Sequence, residues 1–146
     1  MQLSEHFTLE ELTDSYTAVR KGVDNTAPTS VIGNLKRLAD VLEQIREVVG
    51  VSIIVNCGYR CNALNRIVGG AVNSAHVRGL AADIVAKGMT AKELAVVIEK
   101  MKIPEMDQLI YEGTWVHVGL TEGAARGQVL TATFPNGKAH YEFGIV

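Results

Sequence analysis

The sequence has no excess of positive charge: 14 Lys and Arg stand against 16 Asp and Glu, giving a net charge of −2 and a pI of about 6.1. Without a basic stripe there is nothing to neutralise a phosphate backbone, so nucleic acid is not an expected partner. Also missing is any apolar run near the ~20 residues that a bilayer-spanning helix requires, and membrane insertion is not expected. The opening "MQLSEHFTLEEL" carries acids where a secretory leader has a basic segment followed by an apolar one. The expectation is a protein made in a cytoplasm without a signal peptide. Cysteine is scarce. Cys57 and Cys61, in "NCGYRC", match neither a C-x-x-C redox motif nor half of a zinc ribbon, so two reduced thiols near a strand end are expected. No repeat, low-complexity tract or Pro/Ser/Gly-rich linker divides the chain, and 1–146 reads as one domain and a monomer.

What is present is an ordinary globular composition, 47% hydrophobic and 21% charged. Residues 1–50 read as N-terminal helices. Thr8 and Glu11 form a capping box, and Val31, Leu35, Leu38, Leu42, Ile45 and Val49 share one face of a helix from about Ser30 to Val49, stopped by Gly50. Residues 51–120 form a core of alternating elements: a buried strand at "VSIIVN", a short helical turn in "YRCNALNRIVGG", a second strand at "LAADIVA" and an amphipathic helix in "TAKELAVVIEKMK". Thr90 and Glu93 cap that helix, and Pro104 ends it. "DQLIYE" and "TWVHVGL" pair as a hairpin around Gly113, and residues 121–146 add a weaker one. Helices first and strands afterwards indicate an α+β fold, an antiparallel sheet with helices packed on it.

Two of the four histidines sit in unusual surroundings. His6 and His140 read as solvated surface residues, but His76 opens "SAHVRGLAAD" and His117 lies inside "WVHVGL". In "LAADIVA", alternation puts Ala81, Asp83 and Val85 on one face and Leu80, Ala82, Ile84 and Ala86 on the other. Asp83 is thus a carboxylate planted in an apolar sheet, where an unpartnered charge costs several kcal/mol. A lone strand histidine is usually a hydrogen-bonded core residue. Taken together, one buried acid and two histidines are the set that suits zinc with an open fourth position. Gly79, Ala81, Ala82 and Gly119 leave room around it.

"SAHVRGLAAD" also fits S-x-H-x-x-G-x-A-x-D and resembles the signature of the zinc D-alanyl-D-alanine carboxypeptidases, peptidase family M-fifteen, subfamily A. That family shares its fold with vancomycin-resistance dipeptidases, several phage endolysins and the hedgehog signalling domain. "NCGYRCNALN" is similar to its SGYR-x-x-x-L-N segment, with Asn56 and Cys57 in place of the more usual residues, and "WVHVGL" to its last ligand strand. The N-terminal helices resemble those of small phage and prophage members. The resemblance reaches about Leu120 and leaves the C-terminal hairpin unassigned.

It implies a hedgehog/DD-peptidase-like fold and one zinc ion held by His76, Asp83 and His117. It further implies that Arg60 grips a substrate carbonyl or carboxylate, with Ser74 and Tyr59 as lesser substrate contacts. Family members carry an acid shortly before the last histidine, often three residues earlier, where this chain has Thr114. Glu112 is the nearest carboxylate and the candidate general base, with Asp107 as the fallback. The implied substrates are bacterial peptidoglycan peptides, cut next to D-amino acids by a carboxypeptidase or an endopeptidase. The implied setting is host lysis after release, or a virion. Two other readings stay open at this level: a non-catalytic zinc-fold binding module, and a structural phage component.

Overall fold

The computed structural model describes residues 1–146. Three helices lead: α1 (Leu9–Thr13), α2 (Tyr16–Lys21) and α3 (Thr29–Val49). Strand β1 (Ile53–Cys57) and helix α4 (Asn62–Ile67) follow, then a 3-10 turn (Ala75–Arg78), β2 (Ala81–Ala86) and α5 (Ala91–Met101). Strands β3 (Gln108–Tyr111), β4 (Val116–Gly119), β5 (Gln128–Thr133) and β6 (His140–Phe143) complete the chain. Both predicted capping boxes form, Thr8 with Glu11 and Thr90 with Glu93. Gly50 closes α3 at φ +70. Helix α5 stops earlier than its proline: Lys102 takes the left-handed conformation (φ 50, ψ 53), so the turn is complete before Pro104.

The six strands form one sheet in the order β1-β2-β4-β3-β5-β6. All neighbours are antiparallel except β3 and β5, which run parallel. The reason is edge occupancy. Strand β4 already has β2 on one side and β3 on the other, so the chain leaving Gly119 crosses to the free edge of β3, the nearer of the two edges still open. It returns to the start of that strand, where the Gln128 amide donates to Asp107 O at 2.9 Å, and runs alongside.

One face of the sheet is apolar and lies under α3 and α5. Leu35, Leu38, Leu42 and Ile45 of α3, Leu94 and Ile98 of α5, and Ala82, Ile84, Leu109, Val116 and Val118 of the sheet join one buried cluster. Each large aliphatic side chain so buried contributes roughly 1.5–3 kcal/mol. With the helices on one face, the other is left for polar side chains. A separate small cluster, Ile110, Leu130 and Ala132, sits there.

Candidate metal centre

Register places the ligand candidates. Asp83 of β2 is directly opposite His117 of β4, and the alternation that sends Ile84 and Val116 into the core turns both toward the open face. His117 Nδ1 lies 3.1 Å from Asp83 Oδ1. His76 arrives from the 3-10 turn, buried to 3% exposure, with Nε2 3.5 Å from the same oxygen. Its Nδ1 is 2.7 Å from Gly58 O. A carbonyl only accepts, so Nδ1 carries a proton, and Nε2 is the ring nitrogen turned toward Asp83, a donor to it when protonated and a ligand atom once that proton is lost. That outer hydrogen bond is the one that orients a metal-binding histidine.

Gly79 makes the turn possible on two counts. Its φ of +71 is left-handed, and a Cβ there would lie 2.5 Å from Val31 Cγ1 of α3. Ser74 caps the turn, accepting from His76 N at 3.2 Å and from Arg60 Nη2 at 3.3 Å. Gly119 keeps space beside His117, since a Cβ would come within 3.2 Å of its Nε2.

The donor types suit zinc, and so do the two separations that meet at Asp83, although the trio whose ligand atoms all lie within 4.8 Å of one another is Cys57, His76 and Asp83, without His117. Ligand atoms ~2.0–2.1 Å from one tetrahedral ion stand about 3.3–3.4 Å apart, and the two separations at Asp83 Oδ1 are 3.1 and 3.5 Å. Charge agrees with geometry. Burial works against ionisation of Asp83, but hydrogen bonds from His117 and His76 outweigh it and hold the carboxyl well below the usual range. Burial likewise disfavours charge on His76, yet the Asp83 carboxylate and Cys57 draw its pKa upward. The pocket therefore attracts positive charge, which a cation would supply in place of a proton.

Cys57 is a neighbour that sequence reasoning missed. A bulge in β1 sets it opposite Asp83, and ligand atoms of Cys57, His76 and Asp83 lie within 4.8 Å of one another. Its sulfur is 3.9 Å from His76 Nδ1, the side that faces Gly58 O, whereas His117 meets Asp83 directly. Both cysteines are free thiols.

Around the cluster runs a groove of about 560 Å³ whose walls include Arg60, Ser74, Glu112, Trp115 and Tyr141. Glu112 leaves the end of β3 and accepts a hydrogen bond from the Trp115 indole. Burial, reinforced by the charge of Asp83, pushes its pKa up. Thr114 is exposed at the tip of the same hairpin. Asp107 also borders the groove but is held by Arg126, through Nη2 at 2.8 Å and Nε at 3.0 Å. Arg60 has no carboxylate partner: it reaches Ser74 and, at 3.6 Å, Cys57 Sγ, and its buried Nε is unpaired. Tyr59 is not brought to this groove. It is 6% exposed, belongs to the main core, and borders a different cavity beside α2.

A profile of the Peptidase M15 family matches residues 5–119, from the first helices through β4. No curated protein matches the chain. With its match over most of the 146 residues, the chain belongs to the Peptidase M15 family, whose members are zinc-dependent peptidases.

Proposed function

We propose that this peptidase is a single-zinc enzyme that cleaves peptidoglycan stem or cross-link peptides at bonds next to D-amino acids, in phage or prophage lysis. The observation that carries the catalytic part is the convergence of His76 Nε2, His117 Nδ1 and Asp83 Oδ1 beside a half-buried carboxyl, Glu112, in one groove. His76, Asp83 and His117 would hold the ion. When bound, zinc supplies Lewis acidity toward a carbonyl oxygen and lowers the pKa of water toward ~7.

The remaining work falls to the chain's own residues. Glu112 accepts the proton of the attacking water as its oxygen bonds to the peptide carbonyl carbon, then returns that proton to the amine when the C–N bond breaks. An upward-shifted pKa suits a group that must both take and give a proton near neutrality. Asp107 is tied to Arg126 and held below its ordinary value by that partner, which leaves Glu112 as the free acid. Arg60 lines the groove with no carboxylate partner, so its guanidinium is available to a substrate carbonyl or carboxylate, and Ser74 steadies both Arg60 and His76. Substrate identity is supported by the resemblance of "SAHVRGLAAD" and "WVHVGL" to the D-alanyl-D-alanine carboxypeptidases.

The test is digestion of purified peptidoglycan, with mass analysis of released fragments, by wild type and His76→Ala. New amine termini from wild type alone are expected. Release of a single terminal amino acid marks a carboxypeptidase, and longer fragments mark an endopeptidase. Equal products from both proteins would refute the mechanism.

A further inference from the structure

The family match ends at residue 119, yet the groove continues past it. Strand registers trace one row across the open face of the sheet. Asp83 is opposite His117, His117 opposite Ile110, Ile110 beside Leu130, and Leu130 opposite Phe143. The rows on either side carry Gln108 beside Gln128, and Ala132 opposite Tyr141. The β5–β6 hairpin is therefore a continuation of the surface that bears the ligand cluster. Tyr141 borders both the central groove and a second hollow, of about 440 Å³, over Ile110 and Leu130.

The chemistry of this extension differs from that of the centre. Tyr141 and Phe143 leave 51% and 81% of their surface exposed, over the small buried cluster of Ile110, Leu130 and Ala132. Beside them Gln108 Nε2 donates to Gln128 Oε1 at 2.7 Å, which leaves one amide oxygen and one amide NH₂ free to face a ligand. None of the residues bordering this hollow is charged. Alternation turns His140 and Glu142 to the other side of β6, where they pair with each other at 3.7 Å. Exposed aromatic faces flanked by amides, without a counter-charge, suit a neutral pyranose: its C–H face stacks on the rings and its hydroxyl or acetamido groups meet the amides.

Distance sets which part of a substrate reaches the hairpin. Three strand spacings of ~4.8 Å separate His117 from Phe143, roughly 14 Å, or about four extended residues. The occupant is thus what the scissile peptide is attached to, not the reacting pair itself. We propose that the β5–β6 hairpin is a sugar-binding shelf that holds the glycan of the wall polymer while its peptide is cut at the ligand cluster. The identity of the polymer rests on the peptidoglycan reading above.

The direct test is binding of a linear N-acetylglucosamine tetramer to the full chain, followed by calorimetry and by NMR shifts. Wild type is compared with Tyr141→Ala, Phe143→Ala and the double variant. Both side chains are exposed, so the fold should survive, and thermal melts check this. Saturable binding that shifts Gln128, Tyr141 and Phe143 signals and weakens about tenfold in the double variant is expected, the size of two aromatic contacts. No saturable binding, or equal binding by all four proteins, would overturn the shelf. A second arm compares hydrolysis of intact peptidoglycan with that of the sugar-free peptide. A higher KM in the double variant, with kcat unchanged and only on the glycan-bearing substrate, supports the shelf. An equal loss on both substrates would show a peptide on the hairpin and overturn it. If wild type cuts neither substrate while tetramer binding still needs Tyr141 and Phe143, the shelf stands and the wall-hydrolase reading falls.

Discussion

Glu112 and Asp107 stand at opposite ends of β3, and their environments separate their roles. The first has one neutral donor, the Trp115 indole; the second is locked to a guanidinium. Glu112→Gln keeps the shape but cannot carry a proton, and kcat is expected to fall roughly 10²–10⁴-fold. Asp107→Asn should leave kcat nearly unchanged and lower stability by at most about 1 kcal/mol, because Arg126 is largely exposed. Steady-state rates and thermal melts on the two variants decide the assignment; the reverse pattern would make Asp107 the base. At Gly79, alanine would have to adopt φ +71 with its Cβ against Val31, and the substitution should cost roughly 1–3 kcal/mol and displace His76. A melt unchanged from wild type would refute the packing argument. Asp83 and His117 stand out in the sequence because each breaks an apolar strand pattern, and His76 because it opens the motif that ends at Asp83. The fates of Tyr59 and Cys57 were not legible there. Tyr59 is drawn inward where its amide donates to Leu12 O at 2.7 Å, and Cys57 reaches Asp83 through a bulge; both are long-range contacts that no local pattern records.

At the scale of elements, the N-terminal segment is fastened by a single carboxylate on α3. Glu43 accepts from Ser4 Oγ at 2.6 Å, from His6 N at 2.6 Å and from the His6 ring at 2.7 Å. His6 is therefore part of a clasp, although its sequence context reads only as solvated surface. Burial works against the Glu43 charge, but these hydrogen bonds prevail and set its pKa below the ordinary 4.5. A depressed carboxyl stabilises the fold above its unfolded value and loses that effect as pH falls through the folded one. Glu43→Gln should thus cost about 1–3 kcal/mol at pH 7, and the gap from wild type should close below pH 4.5. Chemical denaturation at a series of pH values measures it; a gap constant down to acid pH would show that the carboxylate charge is not what holds the segment. The long helices were legible because their caps and apolar faces are local. The parallel pairing of β5 with β3 was not, because it follows from which sheet edges the earlier strands had already taken.

Across the whole molecule, the ligand candidates come from three separate elements. Asp83 and His117 belong to adjacent central strands, while His76 belongs to a turn packed on α3. An ion shared by the three would bridge strand, strand and turn on the face opposite the main core, and the unfolded chain has no such site. Binding therefore counts as folding free energy: at one hundred times Kd it adds ~2.7 kcal/mol. For a chain of this size each kcal/mol moves Tm by ~2–4 °C, so zinc should raise Tm by roughly 5–11 °C and a chelator should reverse the rise. Asp83→Asn loses the charge that both histidines face, and its Tm should be indifferent to zinc. Cys57→Ala separates the neighbouring sulfur from the ligand set: if the thiol is only a neighbour of His76, the zinc-dependent rise survives. A rise lost in Cys57→Ala and retained in His117→Ala would move the ion to the sulfur side of His76 and displace His117 from the site.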